Sequence, residues 1–230
     1  MMFRKAKMSV SKIIDFNKSC SNCKTCSAGC KLKVGECLRK FAAKRITKIE
    51  PKILYAVVSG LHGDEPNENG DFFAWEDELM KMRRDGTYTF QTWNGKPQHL
   101  NHDENITVGS ICDTFPIQSE KSVDMLVGTS RGYRIAGHDL QDLIKTGKIV
   151  DCSMGCYVSW SECSICGNIA KTEKDWCDHL KYQKARKVDG KLVYEINHDI
   201  CGLENSWISE GVGADPLAEV RYFIANKKEK

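Results

Sequence analysis

No apolar run in this 230-residue chain approaches the roughly 20 residues that span a bilayer. The basic amino terminus has no apolar stretch behind it, so no secretory signal is expected, and a cytosolic protein without a membrane partner follows. There is no internal repeat. No Gly-rich nucleotide-binding fingerprint is present, which removes the usual source of electrons for a redox enzyme. Aromatic residues do not interleave with the basic ones, as the stacking platforms of a single-strand nucleic-acid binder would.

Cysteine, by contrast, is abundant: there are twelve, and they cluster. In a reducing compartment, close spacing of this kind reads as metal ligation rather than disulfide bonding. Charge is also uneven. Residues 1–50 carry 13 Lys/Arg against 3 Asp/Glu, whereas residues 51–230 carry 21 against 28. The chain divides accordingly into a basic, Cys-rich amino-terminal segment (1–50) and a mildly acidic body (51–230) with an insertion at about 161–190. The basic segment suits nucleic acid, an acidic scaffold protein, or simple solvation as an arm.

Apolar periodicity predicts a short helix over 38–49 and a buried strand over 53–58. A helix is predicted from Phe72 to about Arg84, capped by Asp71 and ended by Gly86. Strands follow over 87–93, 106–111, 122–129, 149–158, 192–196 and 203–208. Helices are predicted over 138–145 and, opened by Asp215-Pro216, through Ile224. The expected fold is α+β, mostly an antiparallel sheet or barrel with helices around it.

Cys163-Ser164-Ile165-Cys166-Gly167-Asn168 has the form of a zinc knuckle, and Cys177 and His179 complete a Cys3His set suited to tetrahedral zinc. The ligand count closes and leaves no open position for catalysis, so a structural zinc is expected. Cys20, Cys23, Cys26 and Cys30 match the spacing of a ferredoxin run, although Lys31 stands where a proline is expected and Cys37 is a spare. Zinc, an iron–sulfur cluster and no metal all remain open for this second group.

A serine nucleophile needs a nearby base and backbone donors for an oxyanion. His102, in Gln98-His99-Leu100-Asn101-His102-Asp103, and Ser153, in Asp151-Cys152-Ser153-Met154-Gly155-Cys156, offer such a pair, though 51 residues of separation alone say little. On a strand, Ser153, Gly155 and Tyr157 share one face, while Cys152, Met154, Cys156 and Val158 share the other, core-like face. Cys152 and Cys156 raise a thiol-nucleophile alternative, but both read better as small buried hydrophobes. His62, His99, His138 and His198 read as surface, cap or core residues.

An ordered series of segments over 53–222 resembles the phage prohead (capsid maturation) protease family. It runs from Leu100-Asn101-His102-Asp103 with Gly109, through Ile144-Lys145-Thr146-Gly147-Lys148-Ile149, to Ser153-Met154-Gly155-Cys156. Leu203-Glu204-Asn205-Ser206-Trp207-Ile208 and Gly213-Ala214-Asp215-Pro216-Leu217-Ala218 are similar to the family's closing pattern, apart from a missing proline before the alanine.

The resemblance implies an assemblin-like β-barrel flanked by helices and a serine endopeptidase with His102 as general base and Ser153 as nucleophile. It makes Glu204 the first choice for the orienting carboxylate, with Asp103 and Asp124 as competitors. The implied substrates are viral scaffold and major capsid proteins, cut inside the assembling procapsid in the cytoplasm of an infected cell. Self-cleavage and homo-oligomerisation fall within what it implies. Nucleic acid is expected only at the basic segment. The competing reading is a metal-stabilised binding protein for nucleic acid or scaffold, without catalytic activity.

Overall fold

In the computed structural model of the protein, the structure describes Glu50, residues 52–218 and residues 220–224. Cys20, Cys23, Cys26 and Cys30, and the helix predicted over 38–49, lie outside the described residues. The strands are β1 (Ile53–His62), β2 (Asp71–Phe72), β3 (Pro97–Leu100), β4 (Asp103–Ile117), β5 (Ser122–Ser130), β6 (Arg134–Ile135), β7 (His138–Asp139) and β8 (Asp151–Tyr157). They continue with β9 (Trp160–Cys163), β10 (Ile169–Ala170), β11 (Lys187–Val188), β12 (Lys191–Leu192), β13 (Glu195–His198), β14 (Cys201–Ile208) and β15 (Val220–Ile224). Two six-residue α-helices, α1 (Leu140–Lys145) and α2 (Asp178–Gln183), are the α-helices among the described residues. None is long and apolar enough to cross a membrane. The body is therefore mostly β with few helices.

Seven strands form one curled half-barrel sheet in the order β15-β1-β5-β4-β3-β14-β8. Its pairings are antiparallel except between β3 and β14. Curling brings the two sides of the sheet together, so that the Cys152 thiol of β8 donates to the Ser59 carbonyl of β1 at 3.4 Å. A smaller sheet, β10-β9-β13-β2, stands beside it and carries the Cys/His insertion. β1 forms because its apolar run, with Ile53, Val57 and Val58 β-branched, is buried on both faces and paired between β5 and β15. Trp75, Trp93 and Trp207 are fully buried. Each indole N–H is satisfied, by Gln118 Oε1, the Gly155 carbonyl and Thr129 Oγ1 respectively.

Three predicted elements take another form. Residues 72–84 are not a helix: Phe72 belongs to β2, a five-residue π-helical turn covers Trp75–Leu79, and Met82 bridges Tyr88. Tertiary demands outweigh the helical period here. β2 pairs with β13, and the buried Glu78 carboxylate accepts from the Asp199 and Ile200 N–H groups at 2.9 Å each. Residues 87–93, read as a strand, contain a 3₁₀ helix (Thr89–Trp93). The closing segment is a turn followed by β15, which covers the free edge of β1.

Two glycines mark unavoidable close approaches. A Cβ on Gly109 would lie 1.8 Å from the Gly128 carbonyl oxygen. One on Gly202 would lie 2.4 Å from Trp93 Cδ2 and 2.8 Å from its backbone nitrogen. Because the backbone cannot step aside as a flexible side chain would, Gly202→Ala is expected to destabilise the fold by about 3 kcal/mol. Urea unfolding of the two proteins checks this, and an unchanged midpoint contradicts it.

Candidate active site and metal centre

His102 sits at a hairpin tip. Leu100 pairs with Asp103 across a two-residue turn whose central residues, Asn101 and His102, have φ of 52° and 59°. Positive φ at both positions is the habit of a type I′ turn, and Asn and His tolerate it better than most residues do. The tip is tied to β14 and the residue after it. The Asn101 N–H donates to the Trp207 carbonyl at 2.9 Å, the Asn101 amide exchanges hydrogen bonds with Ser209, and the His102 N–H donates to Ser206 Oγ at 3.1 Å.

The imidazole then meets Glu204. Its Nδ1 donates to Glu204 Oε1 at 2.9 Å, so that in the neutral imidazole Nε2 is the nitrogen without a proton. Glu204 Oε2 accepts from Ser206 Oγ at 2.7 Å, so both carboxylate oxygens are engaged. The hydrogen bond from His102, with the carboxylate's negative charge, raises the imidazole's pKa above its ordinary value, although partial burial opposes this. Gly155 makes the pairing sterically feasible. It faces Glu204 across the β8–β14 ladder, and a Cβ there would lie 2.6 Å from Glu204 Oε1.

Ser153 lies opposite Ser206 on β8, two residues from Gly155 and 8% exposed. Ser153 and His102 line the same two cavities, of about 480 and 400 Å³. No hydrogen bond joins the Ser153 hydroxyl to the imidazole among the described residues. Beside Ser153 runs the 209–218 loop: a Cβ on Gly213 would stand 2.6 Å from the Cys152 carbonyl oxygen and 3.8 Å from Ser153 Cβ. The neighbouring thiols are unsuited to attack. Burial pushes Cys156 up to about 12 and Cys152 further still. Cys152 is sealed in the core, but Cys156, Met154 and Val158 reach the larger cavity, so the predicted core face of β8 is only partly closed.

Of the competing carboxylates, Asp103 accepts from the Asn105 backbone and side-chain N–H groups, and Asp124 accepts from Ser122 within β5. His99 is buried on β3 and hydrogen-bonds Thr107, and His138 is exposed on β7. His62 has a more definite task. Its Nδ1 and its backbone N–H both donate to Asp215 Oδ2, at 2.8 and 3.0 Å, and Ser59 donates to its Nε2 at 3.3 Å. Ser59 is fully buried, so this Ser59–His62–Asp215 array clamps the 209–218 loop to β1. Sequence reading missed it, together with Ser206. An acid opposite a histidine 153 positions away leaves no local pattern to find.

The predicted metal ligands converge. One ligand atom from each of Cys163, Cys166, Cys177 and His179 lies within 4.8 Å of every other. Cys166 and Cys177 sulfurs are 3.5 Å apart, and Cys177 Sγ is 3.9 Å from His179 Nδ1. Tetrahedral metal–sulfur bonds of about 2.3 Å place sulfurs about 3.8 Å apart, so the group fits and can hold a metal. Burial pushes Cys163 up to about 11. For Cys177 burial acts the same way but is outweighed by the Leu180 N–H and by Cys166, Cys163 and His179, and its thiol falls to about 7.

The module around these ligands has a core of just Cys163, Leu180 and Val193, with partly buried neighbours such as Ile165 and Trp176. A core of that size stabilises little by itself, and a cross-link through metal would offset the deficit.

Comparison with protein-family models, with characterised proteins and with solved structures yields no match.

Proposed function

We propose that the protein is a serine endopeptidase of the capsid-maturation type, cutting viral scaffold and major capsid proteins within the assembling procapsid. The observation that carries the catalytic reading is the His102–Glu204 hydrogen bond at the mouth of a cleft that also holds Ser153. Glu204 fixes the tautomer whose bare Nε2 faces outward as a base. Nε2 takes the Ser153 proton as Oγ bonds to the scissile carbonyl carbon, then returns it to the departing amine. Water repeats the sequence on the acyl-enzyme. Gly213 has no side chain to hold the loop off from β8, and in this reading its N–H serves as an oxyanion donor beside Ser153. The base step requires the Ser153–His102 gap to close, as such gaps commonly do once substrate is bound.

The test is digestion of casein or a scaffold protein by the purified chain, with a salt-dependent DNA-binding assay alongside. Binding without cleavage favours the metal-stabilised binding protein instead.

The metal at Cys163, Cys166, Cys177 and His179 is zinc in this reading, since two-sided thiolate and imidazole ligation without an open position suits it. Elemental analysis is expected to find one tightly held zinc in the described body. A strong chelator is expected to raise amide exchange across 160–198 while sparing β1 and β5. Uniform exchange after metal removal contradicts a local stapling role.

A further inference from the structure

The larger cavity has two unlike walls. One is the β8 strand with Ser153. The other comes from the metal-bearing module: Ser161, Trp176, Lys184, Glu195 and Asn197. This second wall is wired to the ligand group. Cys163 pairs with Glu195, Ser161 pairs with Asn197, and Trp176 directly precedes Cys177. Trp176 Nε1 donates to Glu195 Oε1 at 3.0 Å. Lys184 Nζ bridges Asp71 at 2.7 Å and Glu195 at 2.5 Å, and lies 5.0 Å over the Trp176 ring. Those charged groups satisfy one another and leave one carboxylate charge in surplus, which disfavours an acidic guest.

Asn197 is different. It is 3% exposed, yet its side-chain amide has no hydrogen-bond partner among the described residues, and it shares its strand face with Glu195 along the cavity. Its amide opens onto the cavity, so an occupant of the cleft can take up the hydrogen bonds that water otherwise makes there. Ser161 beside it is also buried and lines the cavity.

We propose that Asn197, on the metal-bearing wall, is a specificity-determining residue that selects a substrate side chain with a neutral donor and acceptor, a carboxamide or a hydroxyl. The inference rests on the protease reading and names what its cleft accepts. An amide offers one donor face and one acceptor oxygen, which complements Asn, Gln, Ser or Thr. A site built to hydrogen-bond a guest discriminates strongly against guests that leave its polar atoms unpaired.

The experiment profiles cleavage of a mixed peptide library by the full chain, with a small fluorophosphonate as a separate reporter of Ser153 reactivity. Wild type is expected to enrich Asn, Gln, Ser or Thr at one position near the cut. Asn197→Asp, nearly isosteric, is expected to move that preference to Lys and Arg. Asn197→Leu is expected to abolish it, lowering kcat/KM on preferred peptides about tenfold, chiefly through KM. Fluorophosphonate labelling in both is expected to stay within about twofold of wild type. A profile unchanged in Asn197→Asp, with labelling intact, overturns the specificity role alone. Absence of both labelling and cleavage in wild type overturns the protease reading and this inference with it.

Discussion

Ser153→Ala is expected to lower peptide cleavage by about 10⁴-fold or more while leaving the fold unaltered. In the proposed reaction the Ser153 oxygen forms the new bond, and no neighbour can replace it: burial holds both flanking thiols protonated at neutral pH. The structural cost is small because Ser153 Oγ makes no hydrogen bond among the described residues, and alanine fits wherever serine does. Casein digestion, fluorophosphonate labelling and thermal unfolding of the two proteins together give the answer. Equal digestion by the variant refutes the nucleophile, and loss of digestion accompanied by a large drop in Tm points to misfolding instead.

Glu204→Gln is expected to change both the height and the shape of the pH–rate profile. In the proposed mechanism His102 must be neutral to accept the Ser153 proton, so activity is expected to fall as pH drops through the His102 pKa. Glu204 raises that pKa above the ordinary 6.5, which sets the acid limb of the wild type above pH 6.5. Glutamine keeps the shape but removes the charge, so the limb moves to lower pH. The maximal rate falls by roughly 10²–10⁴-fold, because the favoured tautomer is lost. The same pair bears on stability with a definite sign. A raised folded-state pKa adds stability below the unfolded value, and this is lost as pH rises through the folded one. His102 is 46% exposed at its side chain, so solvent screens that contribution strongly. An unmoved acid limb in the variant shows that another group sets the imidazole's charge.

Local chemistry was legible where a residue's role depends on its near neighbours. The Cys163/Cys166 pair needed its spacing alone, and Cys177 and His179 followed from ligand count. The runs at 53–58, 122–129 and 203–208 read as strands in the sequence and are strands in the fold. The catalytic candidates were singled out by resemblance and not by periodicity. His102 lies in a tight turn, where no period exists, and Glu204 is one acid among many.

What sequence could not show was set by register. Gly155 matters because it faces Glu204, Ser206 because it bonds both His102 and Glu204, and Asn197 because it faces Ser161. The failed helix over 72–84 has the same origin: its apolar spacing was real, but Asp71 and Phe72 were claimed by β13.

The placement of β14 between β3 and β8 has a temporal consequence. During synthesis the imidazole emerges 102 residues before the carboxylate that aims it, and the hydroxyl emerges between them. Until residue 208 has cleared the ribosome, there is no strand to join the His102 hairpin to the Ser153 strand. The topology thus delays the joining of His102, Glu204 and Ser153 until β14 has been made, and under the proposed protease reading a nascent chain stays harmless to itself up to that point.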